Sequence, residues 1–410
     1  VRVGIDCRAL FEPATGIGTY ARNLIAGLSQ VDRETAYILN CLCARYRPKE
    51  LHAAGISGRK NFRPVCGRIP GRLQEILGEW IRFPLERLLG PMDLYHATDY
   101  LPPKLAGAGL VATIHDLSFL LYPESFAPGT LRTLKRRTDR LIRRARIIVA
   151  DSRCTAADLV RLCGVEENRI RVVYPACDPI FLRDERKPGA DWNLKNERTP
   201  RARRRRRLGD DRKPGGEPSE SVQIRYRLPA RYILYVGALH PRKNLDRLVA
   251  AFARLKQGGY PQKLLIVTGK RTFRKYLLLH ARGLGLREEI RILERVPRSH
   301  LPELYRRADL FVYPSLYEGF GYPVLEAMAC GTPVVATERS SIPELTGKAA
   351  LLVDPEDEDG MAREMARLLD DAGLRKSLGG EGRERARTFH RRRFAGEMIA
   401  VYREAARSGS

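Results

Sequence analysis

Residues 313–336 read YPSLYEGFGYPVLEAMACGTPVVA, and the fold is read outward from this stretch. It continues an apolar strand at 310–313, passes through a loop holding Gly319 and Gly321, predicts a helix over 323–330 and ends in a second apolar strand. Pro323 suits the first helical position, where a missing N–H costs nothing, and Gly331 followed by Pro333 stops the helix. The start of such a helix carries unpaired N–H groups and the positive end of the macrodipole, and small glycines let a ligand come close. The stretch therefore predicts an anion site, most simply for a phosphate. Glu318 and Glu326 flank it with seven residues between them. Carboxylates repel phosphate, so hydroxyl groups are their expected partners, and the mixture suits a nucleotide sugar. Taken singly, Glu318 reads as a solvated loop residue and Glu326 as an exposed helical one; their combination with the glycine loop and Pro323 points to a site.

A chain of 410 residues exceeds one ordinary core and predicts two domains or three. Hydrophobic residues at 43% and charged residues at 30% are the composition of a soluble globular protein. No run of about eighteen apolar residues occurs, so no transmembrane helix is predicted. The opening VRVGIDCRAL reads as a strand without a secretory pattern, which favours the cytoplasm, including the inner face of its membrane. The eight cysteines lack Cys-x2-Cys spacing and paired histidines, so buried reduced thiols and no metal site are expected. A net charge of +26 asks for an acidic partner, either nucleic acid, anionic lipid or an anionic substrate, or else reflects solvated arginines.

In the first half, a strand over 1–6, a loop over 8–18 with Gly16 and Gly18, and a helix over 20–28 give a geometry that offers bare backbone to a phosphate or sugar. Strands at 36–41, 93–97, 110–114 and 147–150 alternate with helical patterns, which predicts a parallel sheet covered on both faces. His96, His115 and Asp116 fall where strands end, outside which the crevice of an open parallel sheet lies. His115 is the favoured candidate, and His96 reads equally as structural. Two basic amphipathic stretches, 62–89 with Trp80 and Phe83, and 134–146, suit either an anionic membrane surface or packing on the sheet. Residues 184–222, rich in Arg, Pro, Gly and Ser, read as a linker or disordered insertion. A second αβ series starts at 232 with ILYVG, ending at Gly237. Asn244 reads as the N-cap of a helix over 245–256, with Arg242 and Lys243 at its entrance, where two cations would hold a diphosphate. Strands at 264–268, 289–293 and 351–353 follow, and a final long helix spans 389–405.

The stretches VRVGIDCRALFEPATGIGTYARNL, VATIHDLSFLLYPESF, YILYVGALHPRKNLDRLVAAF, LPELYRRADLFVYPSLYEGFGYPVLEAMACGTPVVATERSSIPEL and ALLVDPED together resemble the retaining GT-B glycosyltransferases of family four, the glycosyl transferases group 1. The resemblance covers nearly all of the chain outside 184–222. It implies an α/β fold of two Rossmann-like, doubly wound domains facing across a cleft. The implied division is an acceptor domain over 1–183, a basic insertion over 184–228, a nucleotide-sugar domain over 229–388 and a helix over 389–410 crossing back. The implied roles are ribose binding by Glu326, donor-sugar and diphosphate contacts by Glu318 and the amides of Phe320 and Gly321, and neutralisation of the diphosphate by Arg242 and Lys243. Gly237 closes the strand before them. Gly16 and Gly18 would approach phosphates and acceptor, and His115 the transferred sugar. The family often places Arg directly after that strand-ending glycine; here Ala238 stands there, and Arg242 is the expected substitute.

The implied activity is metal-independent, retaining transfer of a hexose from a nucleotide sugar, without a separate cofactor, to a saccharide or lipid-linked acceptor in cell-surface glycan synthesis. The ProArgLysAsn variant at 241–244 is similar to mannosyltransferase members, which puts GDP-mannose first and a UDP-sugar second. Two other readings stay open: an epimerase or phosphorylase on the same fold, and a non-catalytic basic protein that binds membrane or nucleic acid. Nucleic acid is the disfavoured partner, since no recognition motif surrounds the arginine run at 203–207.

Overall fold

The computed structural model describes residues 1–12, 15–44, 46–68, 83–183, 222–269 and 273–407. Residues 184–221 of the linker expected over 184–222, and the part of the first amphipathic stretch that holds Trp80, lie outside these residues. Two sheets organise the chain. The first has seven strands in the order β3 (Phe62–Gly67), β2 (Ala36–Leu42), β1 (Arg2–Asp6), β4 (Leu94–Ala97), β5 (Gly109–Ile114), β6 (Ala145–Ala150) and β7 (Ile170–Val172), and the second six in the order β10 (Ile290–Glu294), β9 (Lys263–Thr268), β8 (Tyr232–Val236), β11 (Leu310–Tyr313), β12 (Val334–Thr337) and β13 (Leu351–Val353). All pairings are parallel. In each sheet the first strand in sequence lies at the centre and the winding direction reverses beside it, between β1 (Arg2–Asp6) and β4 (Leu94–Ala97), and between β8 (Tyr232–Val236) and β11 (Leu310–Tyr313). Such reversal leaves a crevice outside the carboxyl ends of the two strands. The two Rossmann-like domains turn these ends towards one cleft.

The strands form because their residues are apolar on both faces: every residue of β4, β5 (Gly109–Ile114), β11 and β12 (Val334–Thr337) is buried. Two edge strands were not expected from sequence. β3 (Phe62–Gly67) opens the first amphipathic stretch, and only its first residue, Phe62, is buried, as suits an edge strand. β7 (Ile170–Val172) is only three residues long. The second amphipathic stretch belongs to the helix Pro128–Arg144, which buries Thr138, Leu141 and Ile142 and packs Leu131 and Leu134 on the first sheet, so its apolar face is covered by protein.

The first helix starts earlier than the sequence suggests. It spans Gly16–Val31, with Thr15 Oγ1 accepting the Gly18 N–H at 3.0 Å as its cap, so Gly16 and Gly18 form its first turn instead of a preceding loop. The helix Arg391–Arg407 lies along it. A Cβ at Gly27 would stand 2.6 Å from the Arg391 carbonyl oxygen, and Phe394, Ala395, Met398, Val401, Tyr402 and Ala405 are buried in the core of the first sheet. The chain passes between the cores near Cys177, whose N–H donates to Phe389 O at 2.7 Å; Phe181 is already packed in the second core.

His96 is structural. It is fully buried, with Nδ1 2.8 Å from Tyr402 Oη and Nε2 2.7 Å from Thr113 Oγ1, which in turn lies 2.9 Å from Tyr20 Oη. This chain of polar groups joins β4 and β5 to the first and last helices. Burial, with the positive charge of His115 nearby, pulls the His96 pKa down to about 3, so the ring is neutral. Unfolded, it would titrate near pH 6.5, so its contribution is complete above that value and drains away as the pH falls towards 3. Urea unfolding across this window should show the wild type losing about 1.4 kcal/mol per pH unit more than His96→Asn. Equal slopes would contradict the assignment.

Candidate active site

The second domain builds its site from the ends of β8 and β11. After β8, Gly237 donates its N–H to Val267 O at 3.0 Å, and a Cβ there would stand 2.5 Å from Tyr235 Oη. The short turn Pro241–Lys243 follows. Asn244 stands at the N-cap of the helix Leu245–Gln257, as expected, but it adopts a left-handed conformation with φ 58° and makes no side-chain cap bond. Its Nδ2 donates instead to Pro314 O at 3.1 Å and Pro355 O at 2.6 Å, which ties the turn to the loop after β11. This reversal aims Arg242 and Lys243 inward.

Glu318 receives them. It is 8% exposed, far from the solvated loop residue it resembles in isolation. Lys243 Nζ donates to its Oε1 and, at 3.0 Å, to Tyr313 Oη. Arg242 Nη1 lies 3.6 Å from the same oxygen and donates to Tyr317 O, and Ser315 Oγ also donates to Oε1. The loop backbone is pinned as well: Glu318 N donates to Ser340 Oγ and Glu318 O accepts from Ser341 Oγ, both at 2.9 Å. Burial alone would raise the Glu318 pKa, but the charges of Lys243 and Arg242 overcome it and hold the carboxyl below its usual range. For Lys243 burial prevails over the Glu318 charge and lowers its pKa to about 8. At neutral pH the cluster is one anion between two cations.

The helix Tyr322–Cys330 starts at Gly321, whose φ of 102° favours glycine, and a Cβ there would meet Ile342 Cδ1 at 2.5 Å. Tyr322 takes the first helical position and Pro323 the second, one place later than the sequence suggests. Phe320 is buried edge-on against Tyr322 and Phe389, so only its backbone belongs to the helix entrance. Glu326 is 5% exposed, not the open helical residue it looks like alone. Tyr305 Oη donates to its Oε2 at 3.2 Å, and Arg298 Nη2 lies 3.1 Å from its Oε1. Burial raises its pKa against the opposing charge of Arg298.

The first domain supplies the facing wall. Gly16 is exposed, and a Cβ there would lie 3.7 Å from the Tyr322 ring, so the two helix N-termini face each other. Gly18 is different: a Cβ would stand 2.7 Å from Ala9 O, so this glycine serves packing against the turn Arg8–Phe11. His115 directly follows β5, with Nδ1 2.6 Å from Asp151 Oδ2 and Nε2 2.9 Å from Thr98 O. Burial would lower its pKa, but the charge and hydrogen bond of Asp151, helped by Thr98 O, raise it to about 9. Both nitrogens face acceptors, so both donate and the ring is a fixed cation.

Among the described residues, four buried polar atoms around this cleft have no hydrogen-bond partner: Asp151 Oδ1, Arg242 Nε, Arg298 Nη2 and Tyr322 Oη. Such atoms call for an explanation, and a polar ligand between the domains would satisfy them. Residues 14–180 match the family model described as Glycosyltransferase Family 4, and residues 219–385 match Glycosyl transferases group 1. The chain is also 31% identical over 315 residues to O-antigen chain mannosyltransferase B of Escherichia coli, an alignment covering 76% of this chain and 74% of the relative. The chain is a family 4 glycosyltransferase.

A further relative, D-inositol 3-phosphate glycosyltransferase of Salinispora arenicola, is 28% identical over 98% of this glycosyltransferase and 91% of its own length. Among solved structures, sucrose-phosphate synthase from Thermosynechococcus elongatus superposes with a TM-score of 0.70 at 22% identity, covering 98% of both chains. HepE from Anabaena, in complex with UDP and glucose, gives 0.67 at 17% identity over 98% of this chain and 99% of its own. These two likenesses show the shared GT-B fold.

Sequence reasoning passed over Arg298, Tyr305, Ser315, Asp151 and Tyr322 at this site. Ser315 and Tyr322 lie within the glycine-loop stretch but carry no charge to mark them, and Arg298, Tyr305 and Asp151 lie outside it, where only the tertiary fold brings them to the glutamates and His115. The glycosyltransferase also holds its domains together at the site's edge. Gly319 approaches so closely that a Cβ would stand 1.9 Å from His115 O and 2.8 Å from Asp116 Cβ. Tyr317 Oη donates to Asp158 Oδ2 at 2.6 Å, and Tyr122 Oη to Leu316 O at 3.3 Å. Gly319→Ala should therefore keep each domain folded while forcing them apart. Small-angle scattering should report a larger radius of gyration at an unchanged thermal midpoint; an unchanged radius would show that the contact yields locally.

Proposed function

We propose that this glycosyltransferase moves a hexose from a nucleotide sugar to a saccharide or lipid-linked acceptor with retention of anomeric configuration and without a metal. The observation that carries the reading is the pair Arg242 and Lys243, fixed by Glu318 beside the start of the Tyr322–Cys330 helix, with Arg242 Nε still lacking a partner. Preorganised cations and helix N–H groups stabilise the charge that grows on a leaving diphosphate. Glu326 accepts hydrogen bonds from the ribose hydroxyls, and the backbone at Phe320 and Gly321 holds the diphosphate and donor sugar with Glu318. Gly16 gives the phosphates and acceptor access from the facing wall. The His115 cation faces the transferred sugar and the phosphate leaving it. In the transfer, the bond from the sugar C1 to the phosphate oxygen breaks and a bond from C1 to the acceptor oxygen forms on the same face. The acceptor's proton passes to the leaving phosphate oxygen.

Mannose from GDP-mannose is the first donor assignment, supported by the ProArgLysAsn turn and the mannosyltransferase relative, and a UDP-sugar is the second. The inositol phosphate relative supports a second acceptor reading, a small phosphorylated polyol. The basic face of the Pro128–Arg144 helix supports contact with anionic lipid at the cytoplasmic face of the membrane, where a lipid-linked acceptor would lie. Among the described residues no helix is long and apolar enough to cross a membrane.

A calorimetric screen over nucleoside diphosphates and their sugars should find one base bound tightly by the wild type and roughly tenfold more weakly by Glu326→Ala. Lys243→Ala, checked for folding by thermal unfolding, should lose about a hundredfold in turnover. Unchanged kinetics in both variants would sink the site assignment. Lys243 is cationic below its pKa of about 8, so diphosphate affinity should fall as the pH rises past that value. Lys243→Arg should flatten this fall; the same fall in both proteins would show that another group causes it. Chelation by EDTA should leave turnover unchanged, and loss restored by a divalent cation would overturn the metal-free reading.

A further inference from the structure

An ionised carboxylate accepts on both oxygens and more strongly, whereas the protonated acid turns one oxygen into a donor. At Glu326 burial favours the neutral acid, and the nearby charge of Asp178 adds to that pressure. The opposing charge comes from Arg298, in the turn Arg298–His300 on a different element from Glu326. Its guanidinium is fixed from outside the site. Nε donates to Asp178 Oδ2 at 3.2 Å, and the group lies over the Phe181 ring, 5.0 Å from its centroid. Asp178 is held in turn by the Ile180 N–H at 3.2 Å and by Arg391 Nη2 at 3.4 Å, and Arg391 Nε donates to Asn23 Oδ1 at 2.9 Å. Nη2 of Arg298 reaches within 3.1 Å of Glu326 Oε1 without completing a hydrogen bond.

We propose that Arg298 is a positioning residue for nucleotide binding: braced on Asp178 and Phe181, its guanidinium sets a positive charge beside Glu326 and turns the carboxylate towards the ribose hydroxyls. The proposal rests on the reading of Glu326 as the ribose ligand. Tyr305 donates to one carboxylate oxygen and Arg298 stands beside the other, and among the described residues no other side-chain donor bonds to either, so both oxygens keep acceptor capacity. The remaining groups that face Glu326 are Asp178 and Cys177 from the crossover and Tyr322 from the start of its own helix. Burial pushes Cys177, Tyr305 and Tyr322 well above their ordinary values, so these three stay protonated through neutral pH.

The test is the affinity for GDP and UDP, measured by calorimetry from acid to alkaline pH, for the wild type, Arg298→Gln, Arg298→Lys, Glu326→Gln and the Arg298→Gln/Glu326→Gln double variant. Arg298→Gln should bind roughly tenfold more weakly at neutral pH and recover as the pH rises and Glu326 ionises unaided. Arg298→Lys should restore part of the loss at neutral pH, and the double variant should bind no more weakly than Glu326→Gln. A loss in Arg298→Gln that is the same at every pH and adds to that of Glu326→Gln would overturn the proposal, since Arg298 would then act independently. If Glu326→Gln weakens binding and Arg298→Gln does not, the proposal alone fails. If Glu326→Gln binds as the wild type does, the ribose reading fails and the proposal with it.

Discussion

The site depends on one buried carboxylate. Glu318 lies between Lys243 and Arg242 on a loop that would otherwise have no reason to hold its shape, and three serines fix its side chain and backbone. Removing either sign from such a buried cluster costs several kcal/mol, because the remaining charge has lost its solvent and gained nothing. The same constraint keeps two cations beside a helix N-terminus before any ligand arrives. An arrangement that pays its ordering cost during folding can stabilise a developing negative charge without rearranging.

The two domains meet around this cluster through groups that fit only one relative placement. Glu344, on the loop-and-helix segment after β12, accepts from the backbone N–H groups of Arg153 and Cys154 at 3.0 Å each, and from Tyr174 Oη at 2.7 Å. It thus adds a carboxylate to the start of the helix Arg153–Cys163, which the Ser152 hydroxyl already caps from its own domain. Gly319 fills the opposite edge against the His115 carbonyl. The last helix returns to the first, and Arg391 at its start joins Asn23 to Asp178 at the crossover. The cleft is therefore bounded by contacts that span the chain.

Much of the fold was legible in the sequence because a parallel sheet covered on both faces writes its strands as unbroken apolar runs. The edge strands β3 and β7 were missed for the same reason: one is half exposed and the other too short to make a run. Gly16, Arg242, Lys243, Glu318 and Glu326 stood out by their spacing around glycine loops and helix starts, and the structure sets Arg242 and Lys243 on Glu318 and Gly16 against the Tyr322 ring. The sequence could not separate Gly16, which faces the cleft, from Gly18, which packs on Ala9, since both fit the same pattern. Asn244 holds the N-cap position that the sequence marks, but its left-handed backbone sends the side chain to Pro314 and Pro355 instead of to the helix. Arg298 and Asp151 were silent, since each is recognised only through a partner far away in sequence.

The most direct measurement is a crystal structure of the protein with the nucleoside diphosphate it binds best. The account predicts the diphosphate between Arg242, Lys243 and the N-terminus of the Tyr322–Cys330 helix, with the ribose hydroxyls on Glu326 and the Arg242 Nε atom paired. A diphosphate bound away from both cations, with the ribose out of reach of Glu326, would contradict it.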